Sequence, residues 1–145
     1  MSITYHPRPG TILMCDFSPS FKEPEMVKKR PVVVISKDIK TRDGLVTVVP
    51  LSTQRPKRQL DYHYLIPKKS LPMLGTFQSA ENWVKGDMIY TVGFHRLDQV
   101  IIGKNDKAKR VYFTQRLGGQ QMDSIYKCVL HGLGFGKLGQ YLNQV

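Results

Sequence analysis

The chain has 145 residues, 41% of them hydrophobic, which predicts one domain with a core of ordinary size. Lysine and arginine total 22 against 11 acidic residues, so the net charge is +11 and the isoelectric point lies near 9.8. The chain has only two cysteines and no apolar run of about 20 residues, which excludes a disulfide-rich scaffold and a membrane-spanning helix.

The excess of positive charge favours an anionic partner, and among anions we favour nucleic acid over a membrane surface or another anion. A protein that is merely basic is the alternative. Residues 1–9 lack the apolar core of a secretion signal, which leads us to expect a cytoplasmic protein. Cys15 and Cys128 lie far apart and show no metal-ligand spacing with a histidine, so we expect reduced thiols and neither a metal nor another cofactor.

Short strands are predicted along most of the chain. The β-branched run Val32-Val33-Val34-Ile35 suits a buried strand, and Val46, Val48 and Val49 predict its neighbour. Asp43-Gly44 between them is a turn signal of the hairpin type. The predicted strands span residues 11–17, 31–37, 45–51 and 60–66, with weaker candidates at 85–92 and 110–116 and an exposed turn at 104–110.

Helical periodicity begins only near residue 120. Apolar residues recur at helical spacing from about residue 120 to 131, and Gly132 and Gly134 end the pattern. A second short helix is predicted at 137–143, with Leu138, Tyr141 and Leu142 buried. Short strands followed by a helix predict a mainly β domain over residues 1–145, with a small barrel-like sheet and a helical segment at about 120–143. A β-sandwich would give a similar pattern.

The segment 18–30, between the first two predicted strands, carries many charges. Arg30 directly precedes Pro31 at the start of the buried strand, so rigid neighbours hold it. A fixed guanidinium is a good phosphate clamp because its fork of N–H donors matches phosphate oxygens. A solvated turn with paired charges is the commoner fate of such a segment. Its charged residues are Lys22, Glu23, Glu25, Lys28, Lys29 and Arg30.

Hydroxyl and cationic side chains follow the strand predicted at 45–51. Ser52 and Thr53 stand at the strand end, and Arg55, Lys57 and Arg58 place three cations within four residues. These residues suit contact with a nucleic-acid backbone, while Gln54 and Gln59 can hydrogen-bond base edges. An ordinary polar loop is the alternative interpretation. Because two strands lead into this loop and the preceding one, neighbouring strand ends could bring the two loops together.

Taken together, these residues resemble the MazF/PemK family of toxins from type II toxin–antitoxin systems. The family pattern is a Gly, a short strand ending in Asp-Phe-x-Pro, a Glu, Arg-Pro, a Val-rich strand ending in Ser, and Pro-x-(Ser/Thr)-(Ser/Thr)-Gln. Order and spacing match over about the first 55 residues, and the resemblance thins beyond residue 60. The matching residues are Gly10, Asp16-Phe17-Ser18-Pro19, Glu25, Arg30-Pro31, Val32-Val33-Val34-Ile35-Ser36 and Pro50-Leu51-Ser52-Thr53-Gln54.

The resemblance implies an SH3-like small barrel of the MazF, PemK and CcdB type that cleaves single-stranded RNA sequence-selectively without a metal. It also implies a homodimer and an antitoxin whose acidic tail lies across the RNA groove. The family's catalytic Arg falls on Arg30, its catalytic hydroxyl, usually Thr, falls on Ser52, and its loop Glu falls on Glu25. The RNA-binding candidates around them are Lys28, Lys29, Thr53, Gln54, Arg55, Lys57 and Arg58.

The reaction expected from the resemblance is attack of the RNA 2′-OH on the adjacent phosphorus, which leaves a 2′,3′-cyclic phosphate. Arg30 would stabilise the charged phosphorane, Ser52 would hydrogen-bond a phosphate oxygen or help pass a proton, and Glu25 would be the general base. The alternative is a barrel without chemistry that binds nucleic acid or, like CcdB-type toxins, a protein such as gyrase. Asn82, His95 and the segment 61–75, which looks longer than in compact members, receive no role.

Overall fold

The computed structural model describes residues 2–18 and 20–144, excluding the side chains of residues 143 and 144. Met1, Pro19 and Val145 lie outside the described residues, so the Asp-Phe-x-Pro motif is described as far as Ser18. The strands are β1 (Ile12–Asp16), β2 (Lys29–Val34), β3 (Leu45–Ser52), β4 (His63–Leu65), β5 (Trp83–Lys85), β6 (Tyr90–Gly93), β7 (Leu97–Gln99), β8 (Ile101–Lys104) and β9 (Arg110–Tyr112). The α-helices are α1 (Thr76–Ser79) and α2 (Gly119–Gly132), and 3-10 helices span Lys68–Ser70, Phe94–Arg96 and Gly136–Gln144.

Strand β3 is the centre of a seven-stranded antiparallel sheet because it pairs with three neighbours. β2 pairs along its middle, with Val32 opposite Pro50. β6 pairs with its first half, and β5 pairs with its end, where Ser52 lies opposite Trp83. β1 follows β2 in the sheet, β7 follows β1 and β4 follows β5, whereas β8 and β9 form a separate two-stranded sheet. The end of β3 therefore lies between the start of β2 and β5.

The predicted mainly β architecture with a C-terminal helix is confirmed, but the predicted barrel is not closed by strand pairing. β6 pairs with β3 and β7 pairs with β1, and no ladder joins β6 to β7 among the described residues. The 3-10 helix Phe94–Arg96 separates these two strands, and the N–H of Leu97 donates to Phe94 within that turn. Because the turn interrupts the strand, the sheet stays open at this point.

The sheet buries apolar side chains on both faces. Val32 and Val34 pack on one face in a cluster with Phe17, while Val33 packs on the other face in a cluster with Ile125 of α2. All three valines are fully buried. A strand covered on both faces needs an unbroken apolar sequence, which explains the valine run of β2.

The helix predicted at 120–131 is confirmed as α2, which covers one face of the sheet with Met122 and Ile125. Gly86 allows its close approach, since a Cβ atom there would lie 2.6 Å from the carbonyl carbon of Cys128. The single strand predicted at 85–92 is wrong, because the chain turns after Gly86 and divides into β5 and β6.

The carboxyl-terminal segment is helical, but the prediction of its buried face was wrong for two residues. Gly136–Gln144 is a 3-10 helix, in which side chains three residues apart align. Gly139 is buried and Leu142 is half-buried, whereas Leu138 and Tyr141 are 49% and 51% exposed. The three-residue period therefore places Leu138 and Tyr141 together on the outer side. The predicted end at Asn143 has no described side chain.

The remaining strand predictions differ mainly in length. Those at 11–17, 31–37 and 45–51 are confirmed as β1, β2 and β3, and those at 60–66 and 110–116 shorten to the three-residue strands β4 and β9. The exposed turn predicted at 104–110 is confirmed between β8 and β9. β7, β8 and α1 were not predicted, because their short sequences carry no clear periodicity.

Candidate active site

The loop between β1 and β2 is anchored by three aromatic rings. Phe17, Phe21 and Tyr90 pack against one another with ring centroids 5.3, 5.1 and 5.6 Å apart. The hydroxyl of Tyr90 accepts a 2.8 Å hydrogen bond from the backbone N–H of Met26. Arg96 covers the ring of Phe21, with its guanidinium carbon 5.0 Å from the ring centre. These contacts hold the charged loop beside the sheet.

Asp16 at the end of β1 shapes the entry to this loop. Its carboxylate accepts hydrogen bonds from the hydroxyl and the N–H of Ser18 at 2.5 and 2.9 Å, which lower the pKa of Asp16. Arg96 donates to the carbonyl oxygens of Asp16 and Ser18 at 3.0 and 3.1 Å. Asp16 and Ser18, which belong to the motif that resembles the family, therefore hold the start of the loop in place through hydrogen bonds.

Arg30 and Ser52 stand at neighbouring strand ends. Val32 lies opposite Pro50. Because side chains two residues apart on a strand share a face, Arg30 extends from the face of Val32 and Ser52 from the face of Pro50. The Nε of Arg30 donates a 3.3 Å hydrogen bond to the carbonyl oxygen of Val27, which orients the half-buried guanidinium. Within the described part of the chain, the terminal nitrogens of Arg30 have no protein partner. These terminal nitrogens can therefore donate hydrogen bonds to a ligand.

Arg30 and Ser52 line an open cavity of about 570 Å³. Glu25 and Gln54 reach the same cavity, so the two predicted loops meet. Cationic, hydroxyl, carboxylate and apolar groups together can bind a phosphate and an adjoining base. The complete lining is Glu23, Pro24, Glu25, Met26, Val27, Arg30, Ser52, Gln54, Lys85 and Met88.

The hydroxyl of Ser52 and the carboxylate of Glu25 are both held by backbone N–H groups. Ser52 Oγ accepts a 3.2 Å hydrogen bond from the N–H of Gln54, which leaves its proton to be donated. A carboxylate oxygen of Glu25 accepts a 3.3 Å hydrogen bond from the N–H of Lys22. Glu25 is exposed and forms no ion pair with Arg30 within the residues described. Its carboxylate is therefore not held by that guanidinium.

Lys85 and Met88 line the cavity but were not singled out from the sequence. Because Ser52 lies opposite Trp83, Lys85 is placed on the same face as Ser52, two residues further along β5. It lies beyond residue 60, where the resemblance to the family thins, so no sequence signal singled it out. Lys85 brings a second cation to the lining of the cavity.

The other predicted RNA-binding residues do not line this cavity. Arg55 donates to both carboxylate oxygens of Glu81 at 2.8 and 2.9 Å, and this pairing raises the pKa of Arg55 and lowers that of Glu81. Lys29 lies on the opposite face of β2 from its neighbour Arg30 and forms a 3.5 Å ion pair with Asp98. The remaining candidates are also exposed and outside the lining: Lys28, Thr53, Lys57 and Arg58.

The residues that received no role from the sequence are structural or lie away from the cavity. Asn82 is 1% exposed, and its amide donates to two backbone carbonyl groups near α1 at 3.1 and 3.2 Å. His95 is exposed in the 3-10 helix after β6. The segment 61–75 contributes Ile66 and Leu71 to the hydrophobic core.

Both cysteines are free and buried. Burial raises the pKa of the Cys15 thiol to about 12 and that of Cys128 to about 11, so both stay protonated at neutral pH. The described residues contain no group of three or more His, Cys, Asp or Glu side chains that could hold a metal ion. Over the same residues, no helix is long and apolar enough to cross a membrane.

Two relatives match almost the whole chain. An uncharacterized protein of Haemophilus influenzae is 29% identical over 153 aligned positions, which cover 95% of this chain and 98% of that protein. The putative uncharacterized protein YifN of Escherichia coli K12 is 28% identical over 150 positions, which cover 92% of this chain and 95% of YifN. The likeness therefore extends well beyond the 55 residues of the opening motif.

Solved structures share the fold at low sequence identity. A mycobacterial endoribonuclease in complex with its cognate antitoxin aligns with a TM-score of 0.58 and 21% identity over 89% of this chain and 96% of its own. MazF from Deinococcus radiodurans aligns with a TM-score of 0.60 and 15% identity over 90% of this chain and 98% of its own. The family model of PemK-like, MazF-like toxins of type II toxin–antitoxin systems matches residues 8–128, and the chain belongs to this family.

Proposed function

We propose that this chain is an endoribonuclease that cuts single-stranded RNA, without a metal ion, in the cavity formed by Arg30, Ser52 and Glu25. The observation that carries the proposal is the meeting of Arg30 and Ser52 in one opening. Membership of the toxin family supports the same activity. The net charge of +11 favours an anionic substrate.

RNA supplies its own nucleophile, which reduces what the protein must provide. The 2′-oxygen loses its proton and attacks the adjacent phosphorus, and the bond to the 5′-oxygen then breaks. The products are a 2′,3′-cyclic phosphate and a 5′-hydroxyl. Catalysis therefore requires a proton acceptor, a proton donor and hydrogen-bond donors for the extra negative charge on the phosphorane.

Arg30 is assigned to the phosphorane, because Val27 fixes its Nε while the rest of the guanidinium fork is left for phosphate oxygens. Ser52 donates a hydrogen bond to a phosphate oxygen, and Glu25 accepts the proton of the 2′-OH. The departing 5′-oxygen takes its proton from water, which reaches the open cavity. Lys85 adds a second positive charge to the phosphate site. Loss of one preorganised donor of this kind typically slows a reaction by about 10²–10³.

Base recognition is assigned to Gln54 and to the apolar part of the lining. The amide of Gln54 both donates and accepts hydrogen bonds, so it can distinguish base edges. Met88 gives the base an apolar, adaptable surface. The exposed cations Lys28, Lys57 and Arg58 would contact phosphates further along the strand.

The partners proposed for the toxin are a second copy of the chain, in a homodimer, and an antitoxin with an acidic tail. The basic cavity favours such a tail, since Arg30 and Lys85 would attract its carboxylates. The fold neighbour that was solved with its cognate antitoxin supports this kind of partner. We place the complex in the cytoplasm.

The proposed reaction is tested with a matched pair of oligonucleotides. The first is an RNA of mixed sequence, in which the cut position is mapped and the ends are identified by mass spectrometry. The second carries 2′-deoxyribose at that position alone. We expect the RNA to give cyclic phosphate ends and the deoxy-substituted strand to stay intact at that position. Cutting of both strands at equal rates would contradict 2′-OH attack.

A further inference from the structure

The hairpin formed by β8 and β9 is exposed along its whole length, over residues 101–112. A two-stranded hairpin alone is only marginally stable, so its shape needs local support. At the tip, the side-chain oxygen of Asn105 accepts hydrogen bonds from the N–H groups of Lys107 and Lys109 at 2.9 and 3.0 Å. The N–H of Ala108 also donates to the Asn105 carbonyl oxygen at 2.9 Å. The tip is therefore a shaped turn.

The hairpin carries four cations, Lys104, Lys107, Lys109 and Arg110, against the single acid Asp106. Lys104 and Arg110 are direct cross-strand partners. Like charges in this position destabilise a strand pair. Neither residue forms an ion pair with an acid within the described chain. An anion bound between them would remove this repulsion.

A cleft of about 440 Å³ lies at the base of the hairpin, where Arg110, Tyr112 and the opposite strand's Ile101 line it. Asp98 is the acid in its lining, and Lys29 forms an ion pair with it at 3.5 Å. Arg110 therefore gives the cleft a net positive charge.

In this cleft, Arg110 and Tyr112 are spaced so that one can bind a phosphate while the other stacks the adjoining base. Arg110 and Tyr112 are two residues apart on one strand, on the same face, which separates them by roughly 7 Å. An exposed aromatic ring stacks an unpaired base, and a cation beside it binds the adjoining phosphate. Tyr112 is 38% exposed, so its ring has an accessible face.

We propose that the β8–β9 hairpin and the cleft at its base form a second RNA-binding site, which stacks one unpaired base on Tyr112 and holds a backbone phosphate between Lys104 and Arg110. The inference rests on RNA being the substrate, as proposed above. Lys29 lines this cleft while its neighbour Arg30 lines the cleavage cavity, so the start of β2 contributes to both sites. The site extends the bound strand beyond the nucleotides that are cut.

The test compares charge-reversal variants of the full chain. The probe is a fluorescent 2′-O-methyl RNA of mixed sequence, which cannot be cut, and its affinity is measured by anisotropy across a range of salt concentrations. The hairpin variant is Lys104→Glu/Arg110→Glu. The control is Lys40→Glu/Arg42→Glu, which makes the same charge change in the exposed connection between β2 and β3.

We expect the hairpin variant to bind the probe at least about tenfold more weakly than the control, with a salt slope shallower by about 0.7 for each phosphate that is no longer bound. Tyr112→Leu should weaken binding about fivefold or more, because the apolar bulk stays while stacking is removed. Lys104→Glu alone places opposite charges across the hairpin, so its weaker binding would not come from unfolding.

Equal affinities of the hairpin variant and the control for the RNA probe would overturn the inference. This result would not contradict the proposed cleavage site. A hairpin variant that loses affinity for a poly-glutamate peptide but keeps affinity for RNA would assign the hairpin to an acidic protein partner instead, and would also overturn it. Wild-type protein that neither binds nor cuts RNA would overturn the inference together with the proposed function.

Discussion

Arg30 and Ser52 line the same opening. Each lies two residues beyond Val32 and Pro50, the last pair at this end of the β2–β3 ladder. Further into the ladder, Val34 and Val48 are fully buried. The site therefore begins where the apolar face of the sheet ends. The pairing of β2 with β3 therefore fixes the backbone from which the guanidinium and the hydroxyl extend.

The hydroxyl of Ser52 can be tested without changing the fold. Ser52→Ala should lower kcat/KM for RNA about ten- to hundredfold, because a hydrogen bond to a charged group contributes about 1.5–3 kcal/mol. Ser52→Thr should keep most of the activity, since the hydroxyl remains. Initial rates on an RNA carrying a fluorophore and a quencher give the comparison. An alanine variant as fast as the wild type would remove Ser52 from the mechanism.

Lys85 is expected to contribute charge to the phosphate site. Lys85→Met keeps much of the aliphatic chain and removes the ammonium, and we expect kcat/KM to fall about tenfold. Lys127→Met, on the exposed side of α2, is the matched control and should leave the rate unchanged. Equal rates for the two variants under low-salt conditions would show that Lys85 has no such role.

His63 should make the fold less stable in acid. Its Nδ1 accepts a 3.0 Å hydrogen bond from the N–H of Leu60, and burial followed by the charge of Lys85 lowers the pKa of His63 below 6.5. The unfolded chain therefore takes up a proton more readily than the folded chain. The contribution of His63 to stability is fully present above about pH 6.5 and is lost as the pH falls through the folded pKa.

Melting temperatures between about pH 7.5 and pH 5 test this linkage, with the unperturbed histidine pKa near 6.5 inside the range. His63→Gln should lose less stability on acidification than the wild type, because the titrating ring is gone. His95→Gln, which changes an exposed histidine, should follow the wild type. If the melting temperatures of His63→Gln and the wild type fell in parallel with pH, His63 would not be the source of the acid destabilisation.

Gly86 should be required for the docking of α2. A Cβ atom there would meet the backbone of Cys128 at 2.6 Å, so Gly86→Ala should lower the free energy of unfolding by about 1–3 kcal/mol. Gly119→Ala is the control, since its Cβ would meet no atom within 4 Å. Urea unfolding measures both. Gly86→Ala with wild-type stability would mean that the helix is not held as described.

The central site residues were predictable because each adjoins a strong structural signal. Arg30 precedes the proline and valine run of β2, and Ser52 ends the long apolar strand β3. Two such strands next to each other in sequence usually pair, which brings their ends together. The resemblance to the toxin family added roles for these positions that residue types alone do not provide.

Residues whose position depends on distant pairing were not predictable. Lys85 reaches the cavity through β5, a three-residue strand without a clear pattern, and Arg55 is held by Glu81, which is remote in sequence. Charge alone suggested Arg55 as an RNA ligand, although its guanidinium is already paired. The exposed Leu138 shows a further limit, because a 3-10 helix and an α-helix share apolar composition but bury different faces.

The most direct test of the central claim is RNA cleavage in excess EDTA by three purified proteins: the wild type, Arg30→Ala and Arg42→Ala. Arg42 lies in the exposed connection between β2 and β3, so its variant controls for the loss of one positive charge. We expect the wild type and Arg42→Ala to cut RNA to cyclic phosphate ends, and Arg30→Ala to be slower by about 10² or more while melting at the same temperature. Cleavage by Arg30→Ala at the wild-type rate, or intact RNA with the wild type, would contradict the account.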